Sequence, residues 1–191
     1  ALVGVSAVLF VIFLGPDALM MMVSNTANQI TQEVFLAIPL FVFMAAVLQF
    51  SGVSEDLYAA MYSWMGPVNG GLCMGTIIIC ALIAAMSGIG ATGTITMGLI
   101  AMPEMLKRGY DKKMVIGAIT VGGALGPLIP PSVLMVIVGG YAQLSVGKLF
   151  MGGVVPGLMS VIFYCLYIGI RCAIHPQDGP ALPLAERATL K

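Results

Sequence analysis

The sequence predicts an all-α membrane protein, and three observations carry that prediction. Of its 191 residues, 60% are hydrophobic and only 8% charged. A soluble domain carries about 25% charged residues; so few ionic side chains cannot build a water-facing surface, and lipid is the natural solvent for most of the chain. Within residues 67–106 two short apolar arms flank a stretch rich in Gly, Ser and Thr, SGIGATGTITMG, the pattern of a re-entrant helical hairpin. The run LGPLIPPSVLMVIVGG (125–140) sets three prolines inside apolar sequence, where each removes a backbone donor and clashes with the preceding turn at about 3 kcal/mol. Non-helical backbone at membrane depth is tolerated only where it is buried in protein or lines an aqueous cavity. A hairpin and a broken helix in one apolar chain are therefore read as features kept for use.

The elements follow in chain order. Residues 1–23 form a first apolar segment. Its opening run has about 15 residues before Gly15-Pro16, short of the roughly 20 that a spanning helix needs, so the chain is expected to be a fragment. The polar stretch SNTANQITQE (24–33) belongs at an interface. VFLAIPLFVFMAAVLQF (34–50) is the second span, in which Pro39 is tolerated because neighbouring groups re-satisfy its backbone. SEDLYAAMYSWMG (54–66) has apolar residues at helical spacing and two acids in its first turn, which fits an amphipathic helix lying on the membrane with its acids near the positive end of the helix dipole. Together, residues 1–66 read as scaffold-like helices and this interfacial helix.

The hairpin occupies 67–106. KRGYDKK (107–113) brings four basic residues together, and by the positive-inside rule it marks the cytoplasmic face, with Tyr110 expected to anchor the loop at headgroup level. The broken helix completes 107–143: KMVIGAITVGGALG enters the membrane, GPLIPPS (126–132) interrupts it and VLMVIVGGYAQ leaves it. LSVGKLF (144–150) is expected outside, and 144–174 holds the final span, roughly Leu149 to Ile170. Residues 175–191 form a polar tail or linker whose Arg187 and Lys191, with Arg171 before them, place it in the cytoplasm by the same rule. His175 is expected to be solvated there.

Several function classes are excluded by what the residues lack. A net charge of zero, with basic residues confined to a few loops, does not suit nucleic acid. No intramembrane acid pair, Ser/His dyad or metal-binding acid cluster is present to support a membrane-embedded enzyme. Glu104 and Asp111 sit among basic neighbours and read as a solvated charged loop. The 15 methionines have no His or Cys at ligand spacing and read as soft core filling. Cys73, Cys80, Cys165 and Cys172 lack a CxxC pattern and are expected to be reduced core residues. What remains is the hairpin tip, where Ser87, Thr92, Thr94 and Thr96 set hydroxyl oxygens beside glycines and form a candidate ion site.

The segments SGIGATGTITMGLIAMPEMLKRGYDKK, GALGPLIPPSVLMVIVGG, SVGKLFMGGVVPG and LAIPLFVFM closely resemble the large membrane subunit of tripartite ATP-independent periplasmic (TRAP) transporters, the DctM-like subunit, in order along nearly the whole chain. The resemblance implies a multi-pass subunit of the bacterial cell inner membrane. It implies a sodium-coupled secondary transporter importing an organic acid delivered by a periplasmic binding protein, beside a small membrane subunit, with sodium as coupling ion and no other cofactor or metal. It also implies two inverted repeats, each with one hairpin and one broken helix, moving by an elevator-type motion. This chain then corresponds to the first repeat, with 67–143 in the transport domain. One further helix is expected before Ala1 and a second repeat after the tail.

On that plan the sodium ion exchanges water for backbone carbonyls of unwound helix segments, with no charge placed in hydrocarbon. Ser87, Gly88 and Thr92 at the tip, facing Gly126, Pro127 and Pro130 at the break, are the expected sodium site; Thr94, Thr96 and Ser132 are assigned to the substrate. Ser132 is expected to cap the second half-helix, with Pro131 at an early helical position. Two departures from the family pattern are Ala45-Ala46, where Gly is frequent, and Gly90, where Ser or Ala is frequent. The competing readings are a sodium/carboxylate symporter of another family with a similar plan, and a truncated assembly subunit that does not transport.

Overall fold

The computed structural model of the chain describes residues 17–182 together with Leu9, Ile12 and Gly15; most of the first apolar segment and the tail beyond Leu182 lie outside the described residues. Among the described residues eight helices follow in order from Asp17: α1 (Asp17–Ile30), α2 (Ala37–Phe50), α3 (Val53–Met65), α4 (Gly71–Ser87), α5 (Gly90–Lys107), α6 (Lys112–Ala124), α7 (Val133–Ala142) and α8 (Val146–Ile174). Short 3-10 turns at Glu33–Leu36 and Pro176–Asp178 flank α2 and follow α8.

The core is a three-helix body of α4, α5 and α6, with α3 and α8 packed on α4. Its centre is Cys80, fully buried. A Cβ built on Gly122 of α6 would stand 2.7 Å from the Cys80 Cβ, and one on Gly93 of α5 3.6 Å from the Cys80 Cα. Small residues at the crossing let the three backbones approach closely, which is how helices gain contact where lipid supplies no hydrophobic drive. Ile77, Ile79, Met97, Ala101, Met105 and Val115 fill the spaces around that crossing and are all buried. All four cysteines are free thiols.

The peripheral helices have the opposite character. Glu33–Phe50 and Val146–Ile174 are long and apolar enough to cross a membrane; at about 1.5 Å per residue they reach about 27 and 44 Å, against a hydrocarbon core of about 30 Å. Their large side chains face outward, among them Leu40, Phe43, Leu158, Ile162 and Ile170. Trp64 is exposed on α3, while Ser54 and Tyr58 turn inward, as an amphipathic helix requires.

Several boundaries differ from those read in the sequence. Much of the polar stretch 24–33 is helical, because α1 continues to Ile30 and Thr26 Oγ1 returns a hydrogen bond to the Met22 carbonyl at 2.7 Å. Pro39 lies in the first turn of α2, where an amide has no helical partner to lose; neighbouring groups are not needed to accommodate it. The last helix starts earlier than the span read from Leu149, since α8 begins at Val146 and takes in most of LSVGKLF. Asp111 is not merely solvated: its carboxylate accepts from the Met114 amide at 3.1 Å and caps α6, while Glu104 pairs with Arg108 at 2.9 Å. Tyr110 is only 4% exposed, so it packs into the base of the hairpin instead of reaching headgroups; burial raises its phenol pKa well above the ordinary range and keeps it neutral.

The tail contains an unexpected strap. After α8 the chain doubles back across the base of the body, with the amide of Gly70 donating to Gly179 O at 2.8 Å, that of Asp111 to Asp178 O at 2.9 Å and that of Leu182 to Gly66 O at 2.8 Å. Leu182 is 3% exposed, and a Cβ on Gly66 would collide with its side chain. His175 is exposed. Replacing Leu182 by Ala is expected to destabilise the body by about 2–5 kcal/mol, the cost of emptying a buried leucine site; an unchanged midpoint in thermal unfolding would show that the strap carries no stability.

Candidate functional site

Two local sequences make the site. At the hairpin tip, α4 ends at Ser87 and α5 starts at Gly90, leaving two residues, Gly88 and Ile89, as the turn. The tip is thus shorter than the twelve-residue stretch read from the sequence, and Thr92, Thr94 and Thr96 belong to α5. Gly88 takes φ +68°, a left-handed conformation in which Gly carries no steric penalty, and its amide donates to Ala84 O at 2.7 Å, closing α4. Ser87 is fully buried; its Oγ donates to Ile83 O at 2.8 Å and accepts from the Ile89 amide at 3.4 Å.

At the break, residues 125–132 leave the helix. Prolines at 127, 130 and 131 supply no amide hydrogen, so the carbonyls four residues earlier, at Gly123, Gly126 and Pro127, lose their helical donors. Two are satisfied again: Gly123 O accepts from the Gly126 amide at 3.1 Å, and Pro127 O accepts from the Ser132 hydroxyl at 2.9 Å. Among the described hydrogen bonds none ends on the carbonyls of Gly126, Ile129, Pro130 or Pro131. Ser132 is the N-cap of α7, its Oγ accepting from the Met135 amide at 3.4 Å. Pro131 therefore stands one residue before the cap and outside the helix, because the cap needs extended backbone at Ser132, φ −122° and ψ 124°, and the helix starts only at Val133.

Tip and break are seated on each other. The Val133 amide donates to Gly88 O at 3.2 Å, and a Cβ on Gly88 would stand 2.8 Å from Pro131 O. Cβ atoms on Gly90 and Gly126 would collide with the backbones of Gly123 and Gly90 respectively, and one on Gly123 with the Thr94 hydroxyl. From the other side α8 closes on the same loop: a Cβ on Gly153 would lie 2.9 Å from Leu128 O, and one on Gly157 2.9 Å from Ile129 Cγ1. The structure thus brings Ser87, Gly88, Gly126, Pro127 and Ser132 to one junction, with Thr94 at its edge, where its hydroxyl donates to Gly90 O at 3.3 Å. Thr92 is half-buried in the first turn of α5. Thr96 is not at the junction; it lies six residues into α5, about 9 Å along the axis, buried, with no hydrogen-bond partner for its hydroxyl among the described residues.

The electrostatics follow from the helix ends. No Asp, Glu, Lys, Arg or His occurs within 83–98 or 121–136, and no cluster of three or more His, Cys, Asp or Glu is found among the described residues. Fixed partial charges come instead from backbone. The N-termini of α5 and α7 present positive ends to the junction, and the C-termini of α4 and α6 present carbonyls. Such a junction offers donors to an anion and carbonyl oxygens to a cation without burying a formal charge.

A hairpin seated on a discontinuous helix, beside two apolar helices long enough to cross a membrane, is an arrangement suited to a membrane protein. Over residues 1–191 the chain matches the family described as "Tripartite ATP-independent periplasmic transporter, DctM component". The chain belongs to this DctM family of TRAP transporter large permease components, which is a transporter family and not an enzyme family. It is 32% identical to the C4-dicarboxylate TRAP transporter large permease protein DctM of Vibrio cholerae, over 92% of this chain and 39% of that protein. Identity to the DctM of Pseudomonas aeruginosa is 33%, over 94% of this chain and 42% of the relative. It is 30% identical to the ectoine/5-hydroxyectoine TRAP transporter large permease protein UehC of Ruegeria pomeroyi, over 87% and 39%. The chain spans about two fifths of the length of these relatives. Membership of the DctM family removes the reading as a symporter of another family.

Close backbone approach yields a sharp expectation. Gly126→Ala is expected to unseat the tip and lower solute uptake by the full permease at least tenfold at unchanged membrane insertion. Gly98→Ala, whose added Cβ meets nothing within 4 Å, leaves uptake unchanged; paired uptake assays at matched protein levels check both.

Proposed function

We propose that this chain forms the first half of the membrane permease of a sodium-coupled TRAP transporter, which imports an organic acid across the bacterial inner membrane by an elevator-type motion. The observation that carries the reading is the junction of Gly88–Gly90 with Gly126–Val133, where two helix N-termini and a set of carbonyls without described donors meet in apolar surroundings. A sodium ion suits those oxygens, and a carboxylate suits the positive helix ends. Within the expected sodium set, the carbonyls of Gly126 and Pro130, which have no described donor, and the Thr92 hydroxyl are the ligands; Gly88 and Pro127 shape the cage, and Ser87 holds the tip. Ser132 and Thr94 serve the substrate through the helix ends they cap or flank. Thr96 reaches it only if α5 shifts along its axis.

The partners are proposed with the family: a small membrane subunit and a periplasmic binding protein that delivers the solute. Relatives carry names with solutes as different as C4-dicarboxylates and ectoine, which supports a shared ion-coupling junction with selectivity residing elsewhere in each system.

Reconstituting the full permease with its small subunit and binding protein tests the reading. Uptake of the organic acid is expected to require both an inward sodium gradient and the binding protein; uptake that persists without sodium contradicts it, as does a chain that assembles with its partners but never transports. Thr92→Ala is expected to raise the half-saturating sodium concentration about tenfold, the equivalent of about 1.4 kcal/mol for one ligand, and Ser87→Ala to raise it by loosening the tip that positions the ligands. Unchanged sodium affinity in both variants would remove the ion from the tip.

A further inference from the structure

A groove of about 630 Å³ runs between α6 and α8, with Ile77 of α4 also lining it. Its volume falls within the range of small-molecule sites, about 300–1,000 Å³, and its two ends differ in chemistry. The mouth is charged: Lys113 and Arg171 line it with Asp111. Below them the walls are apolar, Gly117 and Val121 on α6 facing Phe163 and the rings of Tyr164 and Tyr167 on α8. From Asp111 to Val121 is ten residues of helix, about 15 Å, or half the hydrocarbon core of about 30 Å. The groove is therefore as deep as one leaflet.

We propose that this groove binds an anionic phospholipid of the cytoplasmic leaflet, one acyl chain between α6 and α8 and the phosphate between Lys113 and Arg171. The basic loop 107–113 fixes the leaflet by the positive-inside rule. The acids near the mouth are already engaged: Asp111 accepts from the Met114 amide at 3.1 Å, and Asp178 accepts from Arg171 Nε at 3.0 Å. Arg171 also donates to the Tyr167 hydroxyl at 3.4 Å, so two of its five donors are used and three remain. Lys113 has no ion-pair partner among the described residues. The tyrosines fit the same occupant, since amphipathic rings settle at headgroup level. Gly117 keeps the wall open, for a Cβ there meets nothing within 4 Å. A side chain at 117 would enter the space claimed for the acyl chain.

The test uses the full permease, purified in detergent and exposed to mixed vesicles of phosphatidylglycerol and phosphatidylcholine, with bound lipid read by native mass spectrometry. Wild type is expected to retain phosphatidylglycerol at least fivefold over phosphatidylcholine. Lys113→Gln brings the ratio near one, whereas Gly117→Leu loses both lipids at an unchanged unfolding midpoint without lipid. Inorganic phosphate alone leaves the midpoint unmoved. Equal retention of the two lipids by wild type, full retention by the Gly117→Leu variant, or a midpoint shift with phosphate alone overturns the assignment. So does a cysteine at 117 that cross-links to the remainder of the permease, which would show that protein fills the groove.

Discussion

Two stretches of backbone approach each other more closely than a methyl group allows, and the arrangement of the body depends on that contact. Gly88 and Gly90 at the tip meet Gly123, Gly126 and the Pro131–Val133 segment at the break, with one hydrogen bond, Val133 amide to Gly88 carbonyl, joining them. Each partner answers a deficit in the other. The first amides of α7 have no helical acceptor, and the tip supplies one; the left-handed turn at Gly88 exposes a carbonyl, and the break supplies its donor. α8 completes the enclosure with Gly153 and Gly157 against the Leu128–Ile129 backbone, so irregular chain is covered by protein on both sides, the condition under which a membrane interior tolerates it.

The same contact organises the electrostatics. With no Asp, Glu, Lys, Arg or His within 83–98 or 121–136, polarity at the junction comes from oriented peptide groups whose positions are fixed by the glycines and prolines. This places partial charges of both signs within reach of one another without the desolvation cost of a buried formal charge. The prolines are central to it: of the three carbonyls they strip of a helical donor, Gly123 O and Pro127 O find another, and Gly126 O has none among the described hydrogen bonds. Ser132 limits the damage by returning one donor to Pro127 O while capping α7.

Much of this was legible in the sequence, since Gly/Ser/Thr between apolar arms and Pro-x-x-Pro-Pro-Ser inside an apolar run both break a rule that lipid otherwise enforces. The extent of each break was less legible. The threonines of the tip suggested a long irregular stretch, yet Thr94 bonds back to Gly90 O and sits comfortably in a helix, so the turn shrinks to two residues. Tyr110 followed the usual habit of tyrosine at interfaces, but it is buried in the core cluster that also holds Leu182 of the strap, and the strap's pairing with Gly66, Gly70 and Asp111 is long-range and leaves no local periodicity. Gly66, Gly70 and Gly179 were its only signal, three glycines where chains cross. The groove between α6 and α8 likewise arises from residues about 50 apart in sequence, joined only by folding.

The central claim is that the tip is seated on the break by backbone; the proposed function adds that a sodium ion bound at the junction would strengthen the seat. Amide hydrogen exchange at Val133 in the full permease tests it most directly, since that amide has the Gly88 carbonyl as its partner and its own position at a helix start offers no other. The account predicts slow exchange that slows further when sodium is added. Exchange at the rate of an open loop, with or without sodium, would contradict it.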